Sequence, residues 1–359
     1  MISLSPKWFL AIYALLLCCL APLRPLWLDE CLQFSDTYRH SLPDTTNRVA
    51  HNPGGVPLAY LAENVFVNAF NHPRLASHLF SILCAVAGMA SLIWLTRLLG
   101  LSDARPAALA YALLPISVRY AVEARQYGPA LAFSLCATAV LVWLDRQPSW
   151  PRAFLYGSML ALGLYSQPYI AFIVVAHACW AFERRYTSKY VLFAATGAFL
   201  AFLPWFLYAR GFWAQAVTAG GYRSSIALTT PLMILRELSG SGYVLSIALV
   251  ALAVFGYSRS QMGASSKHLL LLCILVPLPL VGLANTLFHY FFAIRQLLFI
   301  VPSLCILAAE GIRALPAKPL LIAAALVILA IGYDVHWFTS VPSPPCSALI
   351  DLRLLRLFP

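Results

Sequence analysis

Long apolar runs recur from one end of this chain to the other, and they constrain its fold more than any other feature. Each run has about 17–25 residues, enough for a helix to cross roughly 30 Å of hydrocarbon. In lipid the backbone must satisfy its own hydrogen bonds, so these runs must be helices. Hydrophobic residues make up 61% of the sequence and charged residues 10%, which excludes an ordinary soluble domain. The sequence predicts an all-α, polytopic membrane protein.

The basic residues set the expected topology. All four lysines fall in cytoplasmic loops when the N-terminus is cytoplasmic, as the positive-inside rule requires. The segment 153–183 is basic at both ends, which favours a hairpin of two short helices that turns near Gln167-Pro168. A single tilted helix is the alternative, and it would invert everything downstream. The eleven predicted spans are 8–28, 74–99, 104–121, 126–145, 153–167, 168–183, 189–208, 241–258, 268–288, 296–314 and 319–338.

The whole chain, 1–359, is predicted to form one integral membrane domain without a separate soluble domain. Polar material concentrates on the predicted outer side, in a loop at 29–73 with a short amphipathic stretch at 56–70 and in a short tail at 339–359. Arginine is frequent on this side, against the positive-inside bias. Because arginine binds phosphate bidentately, the cluster indicates an anionic head group as ligand. For any single arginine, snorkelling to lipid phosphates is the alternative.

Charge and motif content narrow the class of ligand further. The formal net charge of +11 is scattered over many loops, which favours anionic lipid and argues against nucleic acid. The sequence has no Walker loop, dinucleotide fingerprint or zinc signature, so ATP-driven transport and soluble-cofactor chemistry lose support. The nine cysteines follow no metal or disulfide spacing. Only Cys31 and Cys346 fall on the predicted outer side, where they could pair in an oxidising compartment.

Two adjacent acids, Asp29 and Glu30, directly follow the first apolar run. A carboxylate at a low-dielectric boundary has a raised proton affinity, which suits a general base for a hydroxyl or amine acceptor. Adjacent helical residues point about 100° apart, so one acid can face a site while its neighbour orients a loop. The alternative is an acidic pair that only marks the membrane interface.

A turn rich in proline and glycine at 51–57 directs the chain back onto the membrane. It begins with His51, which we expect near the acidic pair. There His51 would bind a phosphate or a sugar hydroxyl, or else cap the following helix.

The segment 119–127 carries a third group of polar residues. If this segment is helical, Arg119 and Glu123 form an i,i+4 pair and Tyr127 continues that face. Arg125 then points elsewhere, because two residues correspond to about 200° of rotation. A surface salt bridge therefore explains Arg125 least well, and Arg125 is the first candidate for a phosphate contact. Tyr120 and Tyr127 could stack on a sugar or donate hydrogen bonds to it.

Arg295 belongs to a fourth group, 289–296, at the predicted outer start of the 296–314 span. A cation at the first turn of a helix opposes the helix dipole. This placement is unfavourable unless an anion is bound nearby.

Together these residues resemble the GT-C membrane glycosyltransferases. The branch most similar comprises the protein O-mannosyltransferases and the bacterial aminoarabinose and lipopolysaccharide-sugar transferases. The resemblance covers most of 1–135 and, more loosely, 289–302. It rests on the acidic pair, the turn before a short helix, Arg74-Leu75-Ala76-Ser77 at the start of the second span, YAVEARQYGPALAF at 120–133 and RQLLFIVP at 295–302.

The resemblance implies a GT-C fold and an enzyme. Its reaction would be the inverting transfer of a hexosyl or pentosyl group from a polyprenyl-phosphate donor to a lipid, glycan or protein acceptor. Transfer would take place on the outer, periplasmic face of a bacterial inner membrane. By similarity Asp29 would be the catalytic base and Glu30 its acidic neighbour. The donor phosphate would be bound by Arg125 and Arg295, and the substrate by His51, Tyr120, Glu123, Gln126 and Tyr127.

Two alternatives stay open beside this reading. A one-step displacement needs no metal or other cofactor, but related oligosaccharyltransferases use a divalent ion, which would here lie near Asp29 and Glu30. A transporter or flippase of lipid-linked sugars would also need an arginine-lined cavity open to lipid, and it predicts internal repeats and charges at mid-span.

The chain departs from the family at Gly54-Gly55, where a second proline is common, and it has no large outer domain to help dock an acceptor.

Overall fold

The computed structural model describes residues 5–23, 26–219, 229–240, 242–289, 292–316 and 319–340, which are helical with no strand. The predicted tail lies outside these ranges from residue 341 onward, as do Tyr290, Phe291 and Cys346. Short 3-10 turns occupy Ala21–Leu23, Pro168–Ile170 and Ile294–Ile300. The α-helices are α1 Pro6–Leu20, α2 Leu28–Thr37, α3 Leu42–His51, α4 Pro57–Ala69, α5 Pro73–Leu98, α6 Arg105–Leu113, α7 Pro115–Val122, α8 Tyr127–Arg146, α9 Trp150–Ser166, α10 Ala171–Phe182, α11 Arg185–Ala219, α12 Thr230–Glu237, α13 Tyr243–Arg259, α14 Ala264–Leu275, α15 Pro277–Leu287, α16 Val301–Arg313 and α17 Pro319–Thr339.

Seven helical segments of the described residues are long and apolar enough to cross a membrane. Each overlaps one predicted span, and the other four predicted spans correspond to shorter helices. The chain is thus a multi-pass, all-helical membrane protein. The seven segments are Pro6–Leu23, Pro73–Leu98, Tyr127–Arg146, Arg185–Gln215, Ala264–Leu287, Ile294–Arg313 and Pro319–Thr339.

Large apolar side chains on several of these helices face outward. Phe193 and Leu200 on α11 are exposed, and so are Leu320 and Ile328 on α17. In water such surfaces would drive association, whereas in a bilayer they are the surfaces that contact lipid.

The predicted span 104–121 is wrong as a continuous helix. It is broken at Leu114, where α6 ends and Pro115 begins α7. The backbone N–H of Ile116 donates to the carbonyl of Ser239 at 2.9 Å, so the chain before α13 satisfies part of the break. Gly240 adopts φ +81° and lies against Ile116, where a side chain would clash.

The segment 150–182 turns back on itself. Arg152, at the start of α9, donates to the carbonyl of Gln147, and Arg184, just after α10, contacts Asp145 at 2.6 Å. Both ends of the segment therefore lie at the C-terminal end of α8, and the chain reverses at Gln167. It is a pair of helices, as the basic flanks predict, and not one continuous span.

The acidic pair begins a new helix and does not end the first. The predicted span 8–28 is wrong in this detail, because α1 ends at Leu20 and a 3-10 turn follows. Asp29 and Glu30 lie in the first turn of α2. The short helices α2, α3 and α4 follow α1 and precede α5 in the chain. Together they occupy the predicted loop 29–73.

Two of the seven segments are the most enclosed by protein. They are Tyr127–Arg146 and Ile294–Arg313, whose most apolar windows are 83% and 89% buried, against 56% or less for the others. Tight packing of small residues contributes to this, since Gly256 and Gly311 let α13 and α16 approach until their backbones touch. The N-terminal ends of these two enclosed segments lie next to the acidic pair, Asp29 and Glu30. The residues at those ends are therefore positioned by a rigid scaffold.

Candidate active site

Asp29 and Glu30 lie where a helix favours negative charge. Both are in the first turn of α2, where free N–H groups and the helix dipole stabilise carboxylates. One carboxylate oxygen of Glu30 accepts a hydrogen bond from the backbone N–H of Trp27 at 3.0 Å, which caps the helix.

Glu30 also joins α2 to the 123–126 linker, the segment between α7 and α8. Its second oxygen accepts a hydrogen bond from the backbone N–H of Ala124 at 2.7 Å, and the ring of His78 lies 4.0 Å away. The Glu30 side chain is buried, and backbone donors occupy both of its oxygens. Its contacts are those of a residue that fixes the linker.

Asp29 is the accessible acid of the pair. Its Oδ2 atom contacts Nη1 of Arg295 at 2.9 Å, and the two side chains are 22% and 20% exposed. The Arg295 guanidinium lies 5.8 Å from the ring centres of both Trp27 and Tyr127. Arg295 lies at the start of the enclosed segment Ile294–Arg313, where a cation is unfavourable without a nearby anion. The carboxylate of Asp29 is that anion.

Arg125 approaches Asp29 from the other side. Its Nη1 atom donates to the backbone carbonyl of Asp29 at 3.0 Å and to the hydroxyl of Tyr60 at 3.4 Å. The Arg125 carbonyl accepts a hydrogen bond from Ser81 at 3.1 Å, which fixes the backbone. The Nε atom is buried without a hydrogen-bond partner. Two guanidinium groups therefore flank Asp29, and one of them has an unused donor.

The predicted helical face through 119–127 is wrong. α7 ends at Val122, Glu123 has an extended backbone, and α8 begins at Tyr127, so Arg119 and Glu123 do not share a helix. They form no ion pair within the described residues, and buried Nε of Arg119 and Oε1 of Glu123 have no hydrogen-bond partners. Pro129, in the first turn of α8, favours this break over one long helix, because a proline has no N–H to donate to the carbonyl of Arg125 four residues earlier.

Glu123 and Gln126 are both buried in the linker, at 4% and 8% exposure. Burial raises the pKa of Glu123 and the charge of Glu30 raises it further, while Arg119 and Arg125 oppose the shift. Gln126 is the residue before α8, and its side chain does not cap that helix.

Tyr120 and Tyr127 pack against each other rather than lying open. Their rings meet edge to face with centres 5.2 Å apart, and both side chains are buried. Tyr127 lies within about 6 Å of the guanidinium groups of Arg125 and Arg295. The structure thus brings Tyr127 to the arginines, whereas neither ring presents an open face.

His51 is not brought into contact with the acidic pair. It ends α3, its Nδ1 atom is 2.8 Å from the carbonyl of Asn47, and its ring packs on Phe212 of α11. The following turn requires glycine, because Gly54 has φ +68° and a side chain on Gly55 would overlap the carbonyl of Val49.

Asn52, the next residue, does reach the site, although no local sequence pattern predicts this. Its amide donates to Oδ2 of Asp36 at 3.0 Å and to the hydroxyl of Tyr60 at 3.5 Å. Burial raises the pKa of Asp36, and the Asn52 hydrogen bond opposes the shift. A chain of polar contacts therefore runs from the turn through Tyr60 to Arg125. In the sequence, the available signal for these contacts was the set of polar side chains within the apolar stretch 56–70, Tyr60 among them.

Arg295 is supported from behind by a second polar network. The adjacent Gln296 accepts hydrogen bonds from the amide of Asn285 at 2.6 Å and from the backbone N–H of Ala293 at 3.3 Å. Asn285 in turn accepts a hydrogen bond from the hydroxyl of Tyr169, at the turn between α9 and α10. These contacts fix the segment that presents Arg295.

Other features of the region concern sulfur and metals. Cys31, two residues after Asp29, is disulfide-bonded. Among the described residues no three His, Cys, Asp or Glu side chains come together in a group that could hold a metal ion.

Known structures share this fold. ArnT from Cupriavidus metallidurans, bound to undecaprenyl phosphate, matches with a TM-score of 0.62 at 12% identity over 98% of this chain and 73% of that one. The oligosaccharyltransferase AglB from Archaeoglobus fulgidus, in complex with an inhibitory peptide and a dolichol-phosphate, matches with a TM-score of 0.61 at 12% identity. That match covers 98% of this chain and 58% of AglB.

A second structure of the Archaeoglobus fulgidus oligosaccharyltransferase, a complex with Zn and sulfate, matches with a TM-score of 0.55 at 12% identity over 98% of this chain and 55% of that one. The chain thus spans little more than half the length of the oligosaccharyltransferases. No protein-family profile and no curated protein sequence matches it. The fold is that of the GT-C glycosyltransferases, as the sequence resemblance implies.

Proposed function

We propose that this protein is an inverting glycosyltransferase that moves a sugar from a polyprenyl-phosphate donor to an acceptor on the outer face of the membrane. One observation carries the proposal: the accessible carboxylate of Asp29 is flanked by two guanidinium groups, Arg295 on its side chain and Arg125 on its backbone. A general base beside two phosphate-binding groups is what such a transfer requires.

In the proposed reaction Asp29 accepts the proton of an acceptor hydroxyl or amine. The acceptor atom forms a bond to the anomeric carbon from the face opposite the phosphate, and the bond between that carbon and the phosphate oxygen breaks with its electron pair. Charge grows on the departing phosphate, where Arg125 and Arg295 stabilise it. The donor phosphate competes with Asp29 for Arg295, so donor binding frees the carboxylate for its role as base.

Glu30 and the linker residues take supporting roles in this proposal. Glu30 holds the linker through Ala124. Glu123 and Gln126 are then placed to contact the sugar, and Tyr127 lies against both arginines. The acids are engaged by backbone N–H groups and by arginine, so the proposed steps give neither of them the role of a metal ligand.

An apolar groove on the flank of the bundle suits the hydrocarbon tail of the donor. It is a cavity of about 540 Å³ between α4, α5 and α8, and its walls include Val65, Leu83, Ala87 and Ala132. Val65 and Leu83 are exposed at its edge, so the groove is open to lipid. Such a groove would retain an isoprenoid chain while its phosphate reaches the arginines.

The neighbours support the donor class. ArnT was solved with undecaprenyl phosphate and AglB with a dolichol-phosphate, and both are glycosyltransferases, which does not favour a flippase. We also propose that the protein lies in a bacterial inner membrane with its site on the periplasmic side.

The test is an assay of purified protein with a panel of radiolabelled polyprenyl-phosphate sugars and with glycan, lipid and peptide acceptors. We expect transfer from at least one donor, with inversion of the anomeric configuration in the product. Movement of intact donor between leaflets of a vesicle without any transfer would contradict the proposal.

A further inference from the structure

A buried contact joins α2 to α4 directly beneath Asp29. Gln33 lies four residues after Asp29 and therefore on the same face of α2, one turn further along. Its amide nitrogen donates a hydrogen bond to Oε2 of Glu63 on α4. Both side chains are almost fully buried, at 2% and 1% exposure. A carboxyl group this deep is rare unless it is paired or neutral.

Each of the two side chains leaves one oxygen unused. Oε1 of Gln33 and Oε1 of Glu63 are buried and have no hydrogen-bond partner. As long as Glu63 is ionised, both atoms are acceptors and neither can satisfy the other. A proton on Oε1 of Glu63 supplies the missing donor. A protonated carboxyl and a primary amide are complementary, because each then donates one hydrogen bond and accepts one.

We propose that Glu63 is held as a neutral acid that pairs with Gln33 through two hydrogen bonds, and that this pair is a positioning unit which fixes α2 and thereby Asp29. Glu63 and Gln33 act through Asp29 and touch no substrate. The inference deepens the proposed function, because it rests on Asp29 as the base.

The surroundings of Glu63 favour the neutral form. Burial raises its pKa to about 8 and the charge of Glu30 adds to this, while the hydrogen bond from Gln33, the charge of Arg125 and the hydroxyl of Thr37 oppose it. The hydroxyl of Thr37 donates its proton to the carbonyl of Phe34 at 3.2 Å, so it does not supply the donor that Oε1 of Glu63 lacks. The charged and titratable groups that face Glu63 are Glu30 on α2, Arg125 on the linker and Tyr60 on its own helix. Arg125 makes its hydrogen bonds to Asp29 and Tyr60, so it is not the partner of Glu63.

The contribution of the Gln33–Glu63 pair to stability should fall as the pH rises. A carboxyl whose pKa is raised from 4.5 to about 8 on folding binds its proton more tightly in the folded state. Its contribution to stability is complete below the unfolded pKa and is lost as the pH rises toward 8. Above that pH the pair opens, α2 loses its contact with α4, and Asp29 is no longer held.

The first experiment compares Glu63→Gln with Glu63→Ala. Glutamine keeps both hydrogen bonds at every pH. We expect the native protein to lose kcat/KM above about pH 8, and we expect Glu63→Gln to retain transfer at pH 7 and to show no such loss. Glu63→Ala should lower kcat at all pH values while donor KM changes little. The exchanged double variant, Gln33→Glu with Glu63→Gln, rebuilds the pair in reverse and should restore kcat.

A second experiment is independent of activity. Infrared difference spectra of the native protein between pH 6 and pH 10 should show a protonated carboxyl band that disappears as the pH rises. Glu63→Gln should remove the part of this band that Glu63 contributes and leave the part that comes from the buried carboxyl of Glu123, whose pKa burial also raises. Glu183→Gln is the matched control, because Glu183 is 53% exposed and pairs with His268 at the far end of α10. That variant should keep the band.

Two results would overturn the proposal. One is an infrared spectrum unchanged by Glu63→Gln. The other is a folded Glu63→Gln protein that loses transfer at pH 7, which would mean that the carboxylate itself is needed. The proposed function fails separately, because a fully active Asp29→Asn protein would remove the base and leave the Glu63 band in place.

Discussion

An ion pair of aspartate and arginine lies at each end of α8, but the polar groups around the two pairs differ. At its C-terminal end, Asp145 pairs with Arg184 at 2.6 Å and accepts a hydrogen bond from Thr187 at 2.8 Å, while Arg184 also donates to Ser265 at 3.1 Å. None of these four side chains has a buried polar atom without a partner. Each group there is satisfied by another part of the chain, and the cluster clamps α8, α10, α11 and α14 together.

The N-terminal end of α8 also holds an ion pair of aspartate and arginine, but its neighbours are unsatisfied. Within the described residues, the charged and amide side chains that have a buried polar atom without a partner are Gln33, Glu63, Arg119, Glu123 and Arg125, and the other residues with such an atom are Tyr13, Trp27, Ser117 and Trp213. A buried polar group without a partner is destabilising, so proteins retain such groups where a ligand or a proton completes them. The ion pair at the C-terminal end of α8 thus lies among satisfied groups, whereas the one at the N-terminal end lies among buried groups that lack partners.

The largest expected effect on activity is at Asp29, the aspartate of the ion pair at the N-terminal end of α8. Asp29→Asn removes the base but keeps the shape, so transfer should fall by about 10²–10⁴-fold, while the protein stays folded and inserted. The matched control is Asp145→Asn, which should leave transfer unchanged. Transfer rates and thermal unfolding of both detergent-purified variants check this. Full activity of Asp29→Asn would move the base elsewhere.

Arg125→Ala should affect the donor more than the acceptor. Loss of a charge-assisted contact to phosphate is worth about 1.5–3 kcal/mol, so donor KM should rise by roughly tenfold to a hundredfold at constant acceptor KM. Arg125→Lys keeps the charge but not the planar fork, and it should fall between the two proteins. An unchanged donor KM would count against the phosphate role.

At the opposite end of α8 the expected effect is on stability. Asp145→Asn weakens the contact to the Arg184 guanidinium, and we expect a loss of about 1–3 kcal/mol in the free energy of unfolding. Kinetic constants of the folded protein should stay at native values. A change in donor KM at this site would show that the two ends are not independent.

The smallest effect should come from the groove. Ala87→Phe places a bulky ring between α5 and α8 and should raise KM for long-chain donors by about tenfold. Donors with a single isoprene unit do not reach the groove, so their KM should not change. Equal effects on both donors would place the tail elsewhere.

The sequence predicted the parts of this picture that depend on local patterns. Hydropathy and basic flanks predicted an all-α membrane bundle and the reversal between α9 and α10. The motifs pointed to the GT-C fold that the known structures share. The residues at the Asp29 site remain predictions, although the structure brings Asp29, Arg125 and Arg295 together.

What the sequence could not predict depends on long-range packing. Asp29 and Arg295 are 266 residues apart, and no local pattern connects them. The break at Leu114 is stabilised by a hydrogen bond from Ile116 to the carbonyl of Ser239, which lies far along the chain. The contact between Gln33 and Glu63 required knowing which face of α4 meets α2. An acid within an apolar stretch was the only signal for it.

The decisive measurement is the affinity of the Asp29→Asn protein for polyprenyl phosphate. In the proposed reaction Asp29 and the phosphate compete for Arg295, so removing the charge of Asp29 should leave the affinity equal to the native value or higher, while transfer is lost. A phosphorus NMR titration of a short-chain polyprenyl phosphate measures the affinity. Loss of phosphate binding in step with transfer would contradict the account.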